Sequence, residues 1–199
     1  MALDSLRPKV KGIMQPFVNV AVKIGLSPNA CTIIAFVCAI IAGSLFYYNM
    51  LAMAVFFVAM NSVFDALDGA VARELKVDSL KGDFLDHVTD RYADIFIVCG
   101  IFTGGAVPWQ IGVLALTGVL MSSYLGTQAQ AVGVERNYGG ILGRADRLVL
   151  IMGGGIVAAV YPGEIYGLTV LGWVLFMFGV LGHITAMQRF TNTWRQIVE

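Results

Sequence analysis

Seven of the 13 acidic residues in a chain of 199 fall in one stretch, Asp65 to Asp90, which reads DALDGAVARELKVDSLKGDFLDHVTD. They are Asp65, Asp68, Glu74, Asp78, Asp83, Asp86 and Asp90, and Asp94 follows one turn later. Apolar runs flank the stretch on both sides, Leu51 to Phe64 and Ile95 to Phe102. Carboxylates in that setting sit against or inside a bilayer. Each costs ~2.5–3.5 kcal/mol at a helix centre, so an acid kept there points to function. Asp65 and Asp68 are spaced i, i+3, and Asp86 and Asp90 are spaced i, i+4, so each pair lies on one face of its helix. A short loop from Glu74 to Gly82 folds the two helices antiparallel and brings the four carboxylates into one pocket. They repel one another unless cations neutralise them. An all-oxygen donor set is hard and suits Mg²⁺, Mn²⁺ or Ca²⁺. Four carboxylates would hold two ions ~3.5–4 Å apart, a spacing used in phosphoryl chemistry. Gly69 and Ala72 leave room for a ligand to approach the backbone, and Arg73 offers a bidentate donor to phosphate.

The pattern Asp65-x2-Asp68-Gly69-x2-Ala72-Arg73-x8-Gly82-x3-Asp86-x3-Asp90 resembles the complete signature of the CDP-alcohol phosphotransferases, with all eight fixed positions and every gap matched. The resemblance implies a six-helix membrane bundle, usually a homodimer, with a lipid-open cavity on its cytoplasmic half. It also implies transfer of a phosphatidyl-type group from a CDP-linked lipid to an alcohol, with CMP released. Two Mg²⁺ ions, or Mn²⁺, would be held by Asp65, Asp68, Asp86 and Asp90. Asp65 and Asp86 would bridge the pair, and Asp90 would also serve as general base toward the incoming hydroxyl. Asn29 and Thr32, in a Pro-Asn-x-x-Thr segment similar to the family's, would join Gly69, Arg73 and Ser79 in binding the CDP-lipid.

The elements that must position these residues follow from composition. The chain is 58% hydrophobic and 13% charged, with a mean hydropathy of +0.78 and no net charge. That describes an all-α polytopic membrane protein and gives no electrostatic case for nucleic acid as a partner. Residues 1–24 read as an amphipathic helix in the membrane interface. Leu3, Leu6, Val10, Ile13, Met14, Phe17, Val20 and Ile24 recur at helical spacing, beside Arg7, Lys9, Lys11 and Lys23. Six spans are expected over residues 30–189, near Ala30–Tyr48, Leu51–Arg73, Phe84–Gly104, Pro108–Val132, Ala145–Tyr161 and Ile165–Arg189. The whole chain, 1–199, forms a single domain.

Basic residues orient the bundle. They cluster in the N-terminal segment, at Arg73, Lys76 and Lys81, at Arg136, Arg144 and Arg147, and at Arg189 and Arg195. The loops near Asn49, Gly105 and Gly163 have none. Both termini and the acidic pocket therefore face the cytoplasm of a multi-pass protein of the cell membrane. Cys31, Cys38 and Cys99 read as small buried hydrophobes.

An acceptor phosphate would find its site among Arg136, Arg144, Arg147 and Arg189, since arginines gathered at a membrane cavity suit an anion. The Gly-x3-Arg-x2-Arg pattern through Arg144 and Arg147 resembles the branch whose acceptor is inositol 1-phosphate, the phosphatidylinositol-phosphate and archaetidylinositol-phosphate synthases. Gln128 and Gln130 depart from that branch, where many members carry basic residues, and two glutamines suit sugar hydroxyls. Asp94 is expected to partner Arg91 or a base on another span, Asp78 and Asp83 to be solvated, and His87 and His183 to pack. Glycerol 3-phosphate or serine would serve the same chemistry as acceptor.

A competing class is a cation transporter using these carboxylates. Transporters place such groups at the midplane on broken helices in repeated halves. Here all four lie toward the cytoplasmic ends of helices that read as continuous, without an internal repeat. A structural scaffold would need the acids as helix-to-helix salt bridges with Arg73 and Arg91, and four acids outnumber those two partners.

Overall fold

The computed structural model describes residues 7–77, 79–137 and 139–197, with side chains from residue 14 onward. Asp78 and residues 1–6 of the expected interfacial helix lie outside the described residues. Seven α-helices run in chain order: α1 (Arg7–Lys23), α2 (Pro28–Tyr47), α3 (Leu51–Leu75), α4 (Leu80–Ile101), α5 (Trp109–Ala131), α6 (Arg144–Val160) and α7 (Val170–Trp194).

Local chemistry sets their ends. The Ser27 hydroxyl accepts from the Ala30 N–H at 3.2 Å, and Pro28, which lacks an N–H, opens α2. Lys76 ends α3 in the left-handed region at φ 55°. Ser79 then caps α4 by accepting from the Gly82 N–H at 3.1 Å. The acidic loop is thereby cut to Lys76–Ser79, which brings the end of α3 and the start of α4 side by side. Asp146 accepts from the Gly143 N–H at 3.0 Å at the start of α6.

The helices alternate in direction. At one end, Asn49 donates to the Gly104 carbonyl at 3.1 Å and Thr169 to the Ala106 carbonyl at 2.8 Å, tying the three connections there together. The opposite end gathers the starts of α2, α4 and α6 with the ends of α3, α5 and α7. One apolar core, including Phe46, Val58, Ile97, Val119, Ile151 and Phe178, joins α2 through α7. A smaller one packs Val18 and Ala21 of α1 on Cys31, Leu67 and Val71. Two crossings depend on glycine: a Cβ on Gly100 of α4 would run into the backbone of Gly43 in α2, and one on Gly182 of α7 into that of Gly118 in α5.

Among the described residues, α2, α3, α5 and α7 are long and apolar enough to cross a membrane. Their outward residues are apolar as well, Phe56 and Met187 among them. Helix α4 carries its charges within that length, and α6 has 17 residues. The last helix differs from the expected Ile165–Arg189 at its start. Residues 164–169 form a two-stranded hairpin, Glu164 opposite Thr169, and Thr169 caps α7 by accepting from the Gly172 N–H at 3.0 Å. Positive φ at Tyr166 and Gly167 makes the tight turn. Helix α4 also ends in a π-helical turn, Phe102–Ala106, broken by Gly105 at φ 81°.

Candidate active site

The carboxylates meet where α3 and α4 lie against α2 and α6. Ligand oxygens of Asp65, Asp68 and Asp86 come within 4.8 Å of one another. Asp68 is buried and held from both sides: the Thr32 hydroxyl donates to Oδ2 at 2.7 Å, and the Gly69 N–H donates to Oδ1 at 2.5 Å. A carboxylate oriented by two donors keeps its remaining lone pairs aimed. Three converging carboxylates fit a hard divalent cation by donor type.

Asp90 lies beside Asp65 at the edge of that trio. Its Oδ1 pairs with Arg144 Nη2 at 2.9 Å and its Oδ2 lies 3.6 Å from Arg91 Nη2. Arg144 bridges outward from the start of α6: its Nη1 reaches Asp65 Oδ1 at 2.7 Å and its Nε lies 3.9 Å from Asp94 Oδ1. The four carboxylates still outnumber the arginines that pair with them, Arg144 and Arg91, but the partner expected at Arg73 is instead Arg144. Arg144 and Arg147, distant in sequence, join Arg91 beside them, while Arg73 lies on the other side of Gly69, 3.2 Å from where a Cβ there would stand.

On one side of the carboxylates lies a cavity of about 690 Å³. Asn29, Thr32, Gly69, Arg73 and Ser79 all line it, with Asp68 and Asp86 at its edge. Gly82 keeps the wall thin, since a Cβ there would stand 3.2 Å from Ser79 Oγ and 3.5 Å from Asn29 Oδ1.

On the other side are the arginines. Arg147 is 4% exposed and donates from Nη2 to Asp94 Oδ2 at 2.7 Å. Asp94 thus pairs across to α6 as well as approaching Arg91, whose Nε is 3.9 Å away. Arg136 bonds His87 Nε2. His87 Nδ1 lies 3.6 Å from Asp86 Oδ2 and Nε2 lies 3.5 Å from Asp83 Oδ1. Arg189 donates Nε to the Gly139 carbonyl at 2.8 Å and Nη1 to the Ser122 carbonyl at 2.6 Å, which binds the loop before α6 to α5. Gln128 and Gln130 are exposed. His183 faces Thr117 Oγ1 at 3.3 Å between α7 and α5, a packing role.

Spacing on α3 and α4 revealed the carboxylates. The Arg144 bridge left no local signal in the sequence, because its partners lie more than 50 positions away.

The sequence profile of the CDP-alcohol phosphatidyltransferases matches residues 25–185. The chain belongs to that family. It is 35% identical to an archaetidylinositol phosphate synthase of Pyrococcus horikoshii over 175 residues, 88% of this chain and 93% of the relative. A protein of the same name from Methanothermobacter thermautotrophicus is 30% identical, over 98% of this chain and 95% of its own. The crystal structure of Mycobacterium tuberculosis phosphatidylinositol phosphate synthase with CDP-DAG bound superposes with a TM-score of 0.78 at 26% identity, covering 92% of this chain and 94% of that one. The same mycobacterial enzyme in complex with manganese and citrate gives a TM-score of 0.78 at 26% identity, covering 90% and 88%. This CDP-alcohol phosphatidyltransferase is an enzyme of phospholipid biosynthesis, and its carboxylate pocket is the candidate site of phosphatidyl transfer.

Proposed function

We propose that the enzyme transfers the phosphatidyl-type group of CDP-archaeol or CDP-diacylglycerol to the hydroxyl of inositol 1-phosphate and releases CMP. The observation that carries this reading is the division of the site: a roomy cavity on one side of the carboxylates and clustered arginines on the other. A nucleotide-linked lipid fits the first, and a phosphorylated polyol suits the second. The relatives named archaetidylinositol phosphate synthase support the acceptor, and the mycobacterial structure with CDP-DAG supports the donor.

Two divalent cations, Mg²⁺ or Mn²⁺, held by Asp65, Asp68, Asp86 and Asp90, would neutralise the diphosphate and the charge developing on the departing CMP. Around them the chain's own groups have separate tasks. Thr32 and the Gly69 N–H keep Asp68 oriented. Asn29, Thr32, Gly69, Arg73 and Ser79 hold the cytidylyl portion in the cavity, with Arg73 as the phosphate donor. Asp90 takes the proton of the acceptor hydroxyl as general base. The acceptor oxygen bonds to the lipid-linked phosphorus, the anhydride P–O bond breaks, and CMP leaves with the electron pair. Arg136, Arg144, Arg147 and Arg189 form the acceptor side, Arg189 by pinning the loop that precedes Arg144. Asp90 can act only after Arg144 has withdrawn from it.

The same reading places α2 through α7 across the bilayer as six spans, α1 at the interface, both termini and the site on the cytoplasmic side, and two copies in a dimer. The basic residues at the site end of the bundle support this orientation. The test is CMP release from a CDP-lipid in detergent with inositol 1-phosphate, glycerol 3-phosphate, free inositol and serine supplied separately. Turnover confined to inositol 1-phosphate is expected; turnover with an unphosphorylated alcohol sinks the acceptor assignment, and no CMP with any acceptor sinks the reaction.

A further inference from the structure

Asp94 is outside the eight-position signature, yet it is 5% exposed and sits among three guanidiniums. Arg147 bonds it at 2.7 Å from α6, Arg144 approaches at 3.9 Å from the start of the same helix, and Arg91 approaches at 3.9 Å from one turn earlier on α4. Asp86, Asp90 and Asp94 recur every four residues, so they form one ladder along α4. The ladder divides by partner: Asp86 lies with Asp65 and Asp68, Asp94 lies with arginines, and Asp90 stands between them.

Charge decides what this arrangement can do. Arg91, Arg144 and Arg147 are balanced by Asp65, Asp90 and Asp94 together, so with Asp65 and Asp90 taken by cations the three arginines around Asp94 would leave two positive charges uncompensated. Arg144 is at present shared with Asp65 and Asp90. With a divalent cation on those same oxygens, the Arg144 guanidinium would be repelled from them over a few ångströms in a medium of low dielectric. Of the three carboxylates that Arg144 meets, Asp94 is then the one that still attracts it. The excess positive charge matches a phosphate monoester, which carries roughly −1.5 to −2 near neutral pH.

We propose that Asp94 is a positioning residue for the acceptor: it gathers Arg91, Arg144 and Arg147 into one anion-binding trio and retains Arg144 there when cations take Asp65 and Asp90. This rests on the reading that the acceptor is phosphorylated. Asp94 touches neither substrate. It acts by where it holds the guanidiniums.

The test uses the full chain in detergent, comparing wild type, Asp94→Asn and Asp94→Glu. Three quantities are measured: KM for inositol 1-phosphate, KM for the CDP-lipid, and Mn²⁺ affinity by electron paramagnetic resonance. Asp94→Asn is expected to raise the acceptor KM about tenfold and to weaken Mn²⁺ binding about threefold, because Arg144 is released to compete for Asp65 and Asp90, with the CDP-lipid KM within about twofold. The asparagine leaves Arg147 without its buried partner and so tests folding too. Asp94→Glu keeps the charge and shifts the trio, and is expected to raise the acceptor KM about threefold while sparing the CDP-lipid KM. An unchanged acceptor KM in both folded variants overturns the proposal. Both KM values rising together, in either variant, reduces Asp94 to a structural salt bridge and overturns it as well. Wild type that works only with an unphosphorylated alcohol removes the acceptor reading and this inference with it. Wild-type turnover on inositol 1-phosphate with unaltered variants removes this inference alone.

Discussion

The two sides of the carboxylate pocket are built differently. The cavity side is assembled from neighbours: the start of α2, the end of α3, a four-residue connection and the start of α4. Its polar groups are fixed by short hydrogen bonds, Ser79 to Gly82 and Thr32 to Asp68. The arginine side draws on α4, α6, α7 and the loop between α5 and α6, and its cations are already engaged by Asp65, Asp90, Asp94, His87 and backbone carbonyls. One side is preformed and receptive; the other is internally compensated and must exchange partners before it can take an anion. Exchange of this kind gives specificity at some cost in affinity, because a ligand must replace contacts that already exist.

The comparison can be broken at several points. The largest effect is expected at the shared carboxylates. Asp86→Asn should lower CMP release by about 10³-fold or more, since it removes a ligand from the group that neutralises the diphosphate. Loss of the bound Mn²⁺ signal in the same variant would tie that effect to the metal; retained activity would remove Asp86 from the site. Arg144→Met should split the two sides. The acceptor KM should rise about tenfold, while Mn²⁺ binds about threefold more tightly because a competing cation has left Asp65 and Asp90. Weaker Mn²⁺ binding there would mean that Arg144 supports the carboxylates instead of competing for them.

Arg73→Lys tests the preformed side. Loss of the bidentate fork should raise the CDP-lipid KM about fivefold and leave the acceptor KM alone, measured by steady-state CMP release. A change confined to the acceptor would exchange the assignments of the two sides. The smallest effect is expected for Thr32→Val, which keeps the shape and removes one hydrogen bond to Asp68. It should weaken Mn²⁺ binding about threefold with no loss of thermal stability beyond ~1–2 kcal/mol.

Much of the cavity side was legible in the sequence because its geometry is local. The i, i+3 and i, i+4 intervals fix which face of a helix a residue occupies, while the ends at Lys76 and Ser79, inside the expected Glu74–Gly82 loop, came from the structure. Asn29, Thr32, Gly69, Arg73 and Ser79, grouped by the family resemblance, line one cavity. The hairpin at residues 164–169 escaped because Ile165, Leu168 and Val170 extend an apolar run without a break in hydropathy. Only the positive φ at Tyr166 and Gly167 turns that run into two strands.

The set of helices, the pairing of carboxylates on α3 and α4, and the end of the bundle at which charge collects are all dictated by residue order. Each follows from intervals of a few residues and from the cost of charge in an apolar medium. The tertiary structure alone decided which base meets which acid. Arg144 reaches Asp65 and Asp90 because α6 packs against α3 with its first turn level with the carboxylates, and Arg147 finds Asp94 one turn further along. A charge cluster names its members by composition but its pairs by distance, and across more than 50 residues distance is set by packing.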